Sequence, residues 1–288
     1  MKTGLHAGIL AVFLLYSGLC QGVELSQDGK KLFSKMLGTD NSGLDKNIRE
    51  RLLEYFNKIR GYRRCKSTIA KCLSKKEPSR AVRRFAGFIA NLVKSGADDQ
   101  KIEDWVILRN HTLYSGPVKK INLSGYVPMG GGKKVTIVVY ADFECPFCGA
   151  LAPQLARLAR DMKDNVSVYF KPWPIRGHPN GLAAAKALMA AGRQGRFWEM
   201  HRVLFKNQKE LDYKHLLEYA RQTGCDMDRF RKDFADKAIR KMIEKSKREG
   251  ISLGVDATPS IFMNGRRYYL DYSYEGLRDA AEELVDTV

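Results

Sequence analysis

Residues 135–148 read VTIVVYADFECPFC, and the reading of this stretch decides the fold. Val135–Tyr140 is an unbroken β-branched run closed by an aromatic, which suits a strand covered on both faces. Pro146 opens a segment reaching Lys163 in which Leu151, Leu155, Leu158 and Met162 recur at helical spacing. Cys145 and Cys148 therefore lie where a buried strand passes into an amphipathic helix. The unpaired N–H groups and positive dipole end of a helix start favour an anion. A thiolate is such an anion, so Cys145 is expected to be the attacking or leaving sulfur, with partial exposure. Pro146 is tolerated at the first helical position, because the N–H it lacks would be unpaired there. Cys148, one turn inside and more covered, can reach back to resolve a mixed disulfide.

Two other readings of the pair fail on the rest of the chain. Zinc needs two further ligands, and the sequence has neither a second C-x-x-C nor an H-x3-5-H pair. The histidines are scattered, so no metal site is expected. A permanent disulfide rarely occupies a helix start directly after a buried strand.

Downstream of the motif, Val166–Phe170 is a second buried strand, closed by Pro172-Trp173-Pro174. Residues 181–250 read as several helices broken near Gly195, Leu211 and Gly224. Ser260–Met263 and Arg266–Leu270 flank Asn264-Gly265, a two-residue hairpin turn. Tyr274–Thr287 is a final helix. Thr258-Pro259 stands immediately before the hairpin, where a proline cannot be a mid-sheet residue.

Upstream the period changes. Residues 23–112 show only helical patterns: Ile48, Leu52, Phe56 and Ile59 share one face, and Val82, Phe85, Ile89, Leu92 and Val93 another. A third helix spans Asp98–Arg109, with Ile102, Trp105 and Val106 inward. Residues 113–133 read as a linker, with breakers at Gly116-Pro117, Pro128 and Gly130–Gly132. Within it, Val118–Leu123 is a candidate first edge strand. Residues 1–22 resemble no part of a globular fold. Lys2 followed by the apolar core Ile9–Tyr16 and small residues to Gly22 fits a signal peptide, too short to span a bilayer. The chain is then exported, to the periplasm or beyond the cell, where disulfides persist.

Removing that segment leaves Cys65, Cys72 and Cys225 beside the C-x-x-C pair. Cys65 and Cys72 would lie about 10 Å apart by rise along one straight helix, too far to bridge. A bent segment with a structural disulfide is the favoured reading. Cys225 reads as a small buried hydrophobe. The chain carries a formal net charge of +18, with eleven basic residues and one acid between Lys58 and Arg84. A solvated helical face accounts for that run, and a surface for anionic lipid or an acidic protein is the sharper alternative. No nucleic-acid reading motif accompanies it.

The motif D-F-E-C-P-F-C, the helical insertion at 181–250, His178-Pro179-Asn180-Gly181 and Thr258-Pro259-Ser260 together look like the DsbA/DsbG-like branch of the thioredoxin superfamily. The likeness covers roughly residues 118–288. It implies an α/β, thioredoxin-like fold with a helical insertion over 134–288, preceded here by the small all-α domain. It implies thiol–disulfide exchange with cysteine-containing client proteins, no cofactor, and a membrane redox partner that recycles the dithiol. Thr258 and a cis Pro259 would form the peptide-binding wall, with Pro146 and Phe147 beside it. The family often appends domains such as 23–112 to pair catalytic units, so a homo-oligomer is expected. A redox-inert chaperone or interaction module on the same scaffold is the alternative, and retention of both cysteines speaks against it. Phe147 stands where strongly oxidising relatives keep a histidine, and Thr258 resembles the isomerase-like relatives, which tilts the expectation towards isomerase or reductase. One position departs from the pattern. Many relatives carry an acidic residue six positions before the first cysteine, and here that residue is Val139. Asp142 and Glu144 are expected to be solvated on a turn, leaving Lys171 as a weak candidate for influencing Cys148.

Overall fold

The computed structural model describes residues 45–60 and 66–287. The signal segment 1–22 and Cys65 lie outside them. Strand β1, Val135–Ala141, is the central organiser: it runs parallel to β2, Val166–Pro172, and antiparallel to β3, Ser260–Met263. Strand β4, Arg266–Tyr268, pairs with β3, giving the order β2-β1-β3-β4. The Asn264-Gly265 turn has positive φ at both residues, 47° and 79°, which matches the right-handed twist of the strands it joins.

Alternation along the strands separates two cores. Ile137, Val139, Ala141, Val168 and Phe170 share one buried cluster with α5, Pro146–Asp161, and α11, Tyr274–Val285. Val138, Tyr140 and Phe262 belong to a second, with Trp173 and Val255. Both faces of β1 are thus covered, which is why its sequence shows no alternation. The insertion between β2 and β3 consists of α6 (Gly181–Gly192), α7 (Phe197–Lys206), α8 (Tyr213–Gln222), α9 (Met227–Ala235) and α10 (Lys237–Ser252). Helix α6 is apolar nearly all round and buried accordingly.

Val118–Leu123 forms no strand, contrary to the expectation. The Lys119 N–H donates to Gly265 O at the hairpin tip, 2.8 Å, and the Asn122 N–H to Glu249 Oε1 on α10, 2.7 Å. Those partners belong to different elements, so the segment crosses the sheet end rather than extending a ladder. The edge contact comes later, from Met129, which exchanges two backbone hydrogen bonds of 2.8 Å with Val168.

The chain divides into two compact units after Asp104. The first contains α1 (Lys46–Lys58), α2 (Ile69–Leu73) and α3 (Arg80–Lys94), with Asp45, Thr68 and Ser79 as N-caps. Leu52, Phe56, Ile69, Phe85, Ile89 and Ile102 form its core. Gly96, at φ 76°, closes α3 in the left-handed conformation. Cys72 is disulfide-bonded. The division falls inside α4, Asp99–Asn110, ahead of the 112/113 boundary read from composition. Trp105 and Val106 are only half-buried, while Arg109 is buried and ion-paired with Asp279 and Glu283 on α11. That pairing ties the end of α4 to the second unit.

Candidate active site

Cys145 is the N-cap of α5, and Pro146 is its first residue. The turn is held from three sides. Cys145 N–H donates to Asp142 O, and the N–H groups of Cys148 and Gly149 donate to Cys145 O, all within 3.2 Å. Gln208, after α7, donates through Nε2 to Phe143 O (2.6 Å) and Cys145 O (2.9 Å). A Cβ on Gly149 would meet the Gln208 Oε1 atom at 2.0 Å, so this close clasp requires glycine there.

Both cysteines are free thiols. Cys145 is more covered than expected, at 5% exposure against 2% for Cys148. Its cover includes the Thr258 carbonyl, which lies 3.4 Å from Cys145 Sγ and accepts from it. The Thr258-Pro259 peptide is cis, which brings that carbonyl to the motif from the far end of the sequence. Burial pushes the Cys148 thiol far above its ordinary range, while the Asp142 backbone and the Thr258 side chain pull weakly the other way.

Phe147 and Pro259 line an open cavity of about 450 Å³ beside the dithiol, together with Ala150, Leu151, Gln154 and Tyr272. Phe147 is 72% exposed, an unusual state for a large apolar side chain. Of the four residues expected to bind substrate, Phe147 and Pro259 reach this cavity. Thr258 instead touches Cys145, and Pro146 is exposed at the helix start.

Three expectations about charged neighbours need correction. Asp142 is buried, not solvated: Oδ1 accepts from Glu144 N–H (2.7 Å) and Oδ2 from Ile175 N–H (2.6 Å). Glu144 is half-buried and accepts from Asn180 N–H at 2.8 Å. The loop at 175–180 folds over the turn and supplies those donors, which a local reading of the turn could not include. Lys171 alternates with Phe170 and so faces the other side of the sheet. It contacts Glu249 and donates to Asn122 O at 2.7 Å. It has no route to Cys148. Asp142, Glu144 and His178 hold possible ligand atoms within 4.8 Å of one another, with His178 the one histidine of the group. Asp142 and Glu144 accept from backbone N–H groups, and His178 Nδ1 lies 3.1 Å from Asp142 Oδ2, so the three side chains clasp the turn to the loop at 175–180.

Sequence reasoning missed Gln208 and His201. His201, on α7, is buried against Phe143, Phe170, Trp198 and Phe205, with ring centroids 4.7–5.9 Å away. Burial, helped by Arg202, lowers its pKa to about 3, so the imidazole is neutral. The only signal was a polar residue at a helix position whose neighbours Phe197, Met200 and Leu204 are all core.

A family model described as thioredoxin matches residues 132–283, more than half of the 288 residues. The chain belongs to the thioredoxin family. Its resemblance to the DsbA/DsbG-like branch stands with that match. Among thioredoxin-fold structures, a thioredoxin-like oxidoreductase from Silicibacter pomeroyi DSS-3 is 25% identical, covering 60% of this chain and 95% of its own, with a TM-score of 0.50. Oxidised BdbD from Bacillus subtilis superposes with a TM-score of 0.52 over 58% of this chain and 97% of its own. At 19% identity it speaks to the fold alone. The Na(+)/H(+) antiporter NhaA 1 of Salinispora arenicola is 40% identical over 147 residues, 51% of this chain. The chain spans about a fifth of the length of that relative, 22%.

Proposed function

We propose that this chain is an exported thiol–disulfide oxidoreductase that exchanges disulfides with client proteins through Cys145 and Cys148. The observation that carries the reading is the Cys145 sulfur at a helix start, 3.4 Å from the Thr258 carbonyl, with an exposed phenylalanine at the rim. In reduction of a client, the Cys145 thiolate attacks a client disulfide and releases one client thiolate. Cys148 then attacks Cys145 Sγ, closing the internal disulfide and releasing the second. Oxidation of a client is the reverse sequence. The cavity lined by Phe147 and Pro259 takes an apolar client side chain next to the cysteine. No cofactor enters, because electrons leave by exchange with a partner's cysteines, for which a membrane redox protein is proposed.

Isomerase or reductase activity is favoured over oxidase. Phe147 supplies no charge to stabilise the Cys145 thiolate, so the disulfide form is a weaker oxidant than with histidine there. Pairing of two copies through the helical N-terminal unit would place two dithiols around one client, which suits reshuffling. A Cys65–Cys72 bridge is proposed as the staple of that unit, Cys72 being disulfide-bonded. The test is turbidity of insulin reduced by dithiothreitol, followed by refolding of scrambled ribonuclease set beside oxidation of reduced ribonuclease. Acceleration of insulin reduction and recovery of scrambled ribonuclease are expected, and Thr258→Val should shift the balance towards oxidation. No effect on insulin would indicate a redox-inert binding module. Fast oxidation without recovery of the scrambled form would reject the isomerase assignment.

A further inference from the structure

The connection between α7 and α8 reaches back over the dithiol. Asn207 is the C-cap of α7, and its Nδ2 group donates to Val203 O at 2.9 Å. The Tyr219 hydroxyl of α8 donates to Glu210 O at 3.0 Å, so the connection is tied to both helices it joins. Between those ties stands Gln208. Its carboxamide nitrogen donates to Phe143 O at 2.6 Å and to Cys145 O at 2.9 Å. These two carbonyls belong to the peptide planes on either side of Glu144-Cys145. One NH2 group has two donor hydrogens, and it serves both carbonyls only while those planes keep their relative orientation. Cys145 sits at φ −77° and ψ 119°, and rotation about either bond would carry one carbonyl away from the carboxamide. From that fixed backbone the Cys145 side chain reaches the Thr258 carbonyl, 3.4 Å from Sγ. The same carboxamide lies against Gly149, where an added Cβ would come within 2.0 Å of Oε1 and 2.7 Å of Cδ.

We infer, on the exchange activity proposed above, that Gln208 is a positioning residue for the dithiol: by fixing the Cys145 backbone it raises the effective concentration of the Cys148 sulfur at Cys145 Sγ. Exchange with glutathione separates the step it serves from the step it does not. The Cys145 thiolate first attacks glutathione disulfide and releases one glutathione thiolate. The Cys148 thiolate then attacks Cys145 Sγ, the Cys145–glutathione S–S bond breaks, and its electron pair leaves on the second glutathione sulfur. Two protein thiols become one disulfide, and two glutathione thiols carry away the electrons and protons. The first attack needs only one protein sulfur. The second closes a ring, and its equilibrium depends on how narrowly the two sulfurs are confined beforehand. A Cys145 released from Gln208 must give up backbone freedom to close that ring, which favours the open mixed disulfide. The helical insertion thereby acts on the redox turn through one side chain.

The test uses the full chain equilibrated in glutathione buffers, quenched with acid and digested. Mass spectrometry of the peptide holding Cys145 and Cys148 then gives the ratio of closed disulfide to glutathione mixed disulfide. At a fixed glutathione concentration that ratio measures the effective concentration of one sulfur at the other. Gln208→Met keeps the side-chain length and removes both donors, and it should lower the ratio by at least about threefold, on the scale of one net hydrogen bond. Gly149→Ala should lower it likewise with Gln208 still in place. Its Cβ displaces the carboxamide, which is the flexible end of a long side chain, and alanine suits a helix. The double variant should fall no further than either single one, since each removes the same clasp. A wild-type ratio in Gln208→Met would overturn the inference, as would losses in the single variants that add in the double. Should Gln208→Met fail to fold, Gly149→Ala decides alone, and a wild-type ratio there would overturn it. Failure of the wild type itself to form a disulfide with glutathione would count against the proposed exchange activity instead.

Discussion

Cys145 and Cys148 are covered to nearly the same extent, yet their surroundings differ. Cys145 caps α5 and meets the Thr258 carbonyl, whereas Cys148 lies inside the first turn among apolar residues. Iodoacetamide added to the reduced protein at mildly acidic pH should therefore label Cys145 well before Cys148, as read by peptide mass mapping. Preferential labelling of Cys148 would reverse the assigned roles. The raised thiol of Cys148 also has a thermodynamic consequence. Above about pH 8.5 the unfolded chain sheds this proton while the folded chain keeps it, so the folded state binds more protons and stability falls as pH rises. Below that pH both states are protonated and the contribution is constant. Melting temperatures of reduced protein should accordingly drop faster between pH 8.5 and pH 10.5 than those of reduced Cys148→Ala. Parallel curves would mean that Cys148 ionises as easily folded as unfolded.

The turn from β1 into α5 depends on an element read only as loop. Asp142 accepts two backbone N–H groups, one of its own turn and one from Ile175, and it fills the space against Gly181 where a Cβ would lie 2.9 Å from Oδ2. Asp142→Ala leaves both part-buried donors without their acceptor, at a cost of up to about 1–3 kcal/mol each. A loss of roughly 2–6 kcal/mol in urea unfolding is the upper range expected. Asp142→Asn keeps one side-chain carbonyl and should lose less; a wild-type midpoint for Asp142→Ala would show that the clasp is dispensable. The same turn shows what was legible beforehand. Period and punctuation marked out Val135–Ala141, the helix after it and the Asn264-Gly265 hairpin, because each is specified by its own residues. Burial of Asp142 is specified by residues 33 and more positions away, and no local pattern carries that. Val118–Leu123 failed for the same reason: it has strand-like residues, but a strand exists only where a partner ladder is free, and Gly265 and Glu249 draw its backbone elsewhere. His201 and Gln208 lay unread in the insertion, since their meaning comes from helices folding back over the motif.

At the scale of the molecule, the place where one unit ends decides how self-association can be tested. Composition suggests cutting before residue 113, at the breakers Gly116-Pro117. That cut would remove Arg109, which is 2% exposed and donates to Asp279 Oδ2 at 2.6 Å and to Glu283, itself fully buried. Glu283 would be left as a buried carboxylate that keeps the Tyr114 hydroxyl but loses the Arg109 guanidinium. Removing one member of a buried ion pair typically costs about 3–5 kcal/mol. For a piece of this size each kcal/mol moves the melting temperature by about 2–4 °C, so a fall of roughly 6–20 °C follows. A 99–288 piece, which keeps α4 whole, should therefore melt at least about 6 °C above a 113–288 piece, and Arg109→Met in the longer piece should reproduce most of that fall. Equal melting temperatures would mean that α4 contributes nothing to the second unit. Light scattering of the 99–288 piece beside the full chain then separates two effects that the shorter piece would confuse. A full-chain dimer with a monomeric, equally stable 99–288 piece assigns association to the N-terminal helices, while two monomers, or two dimers, would remove it from them.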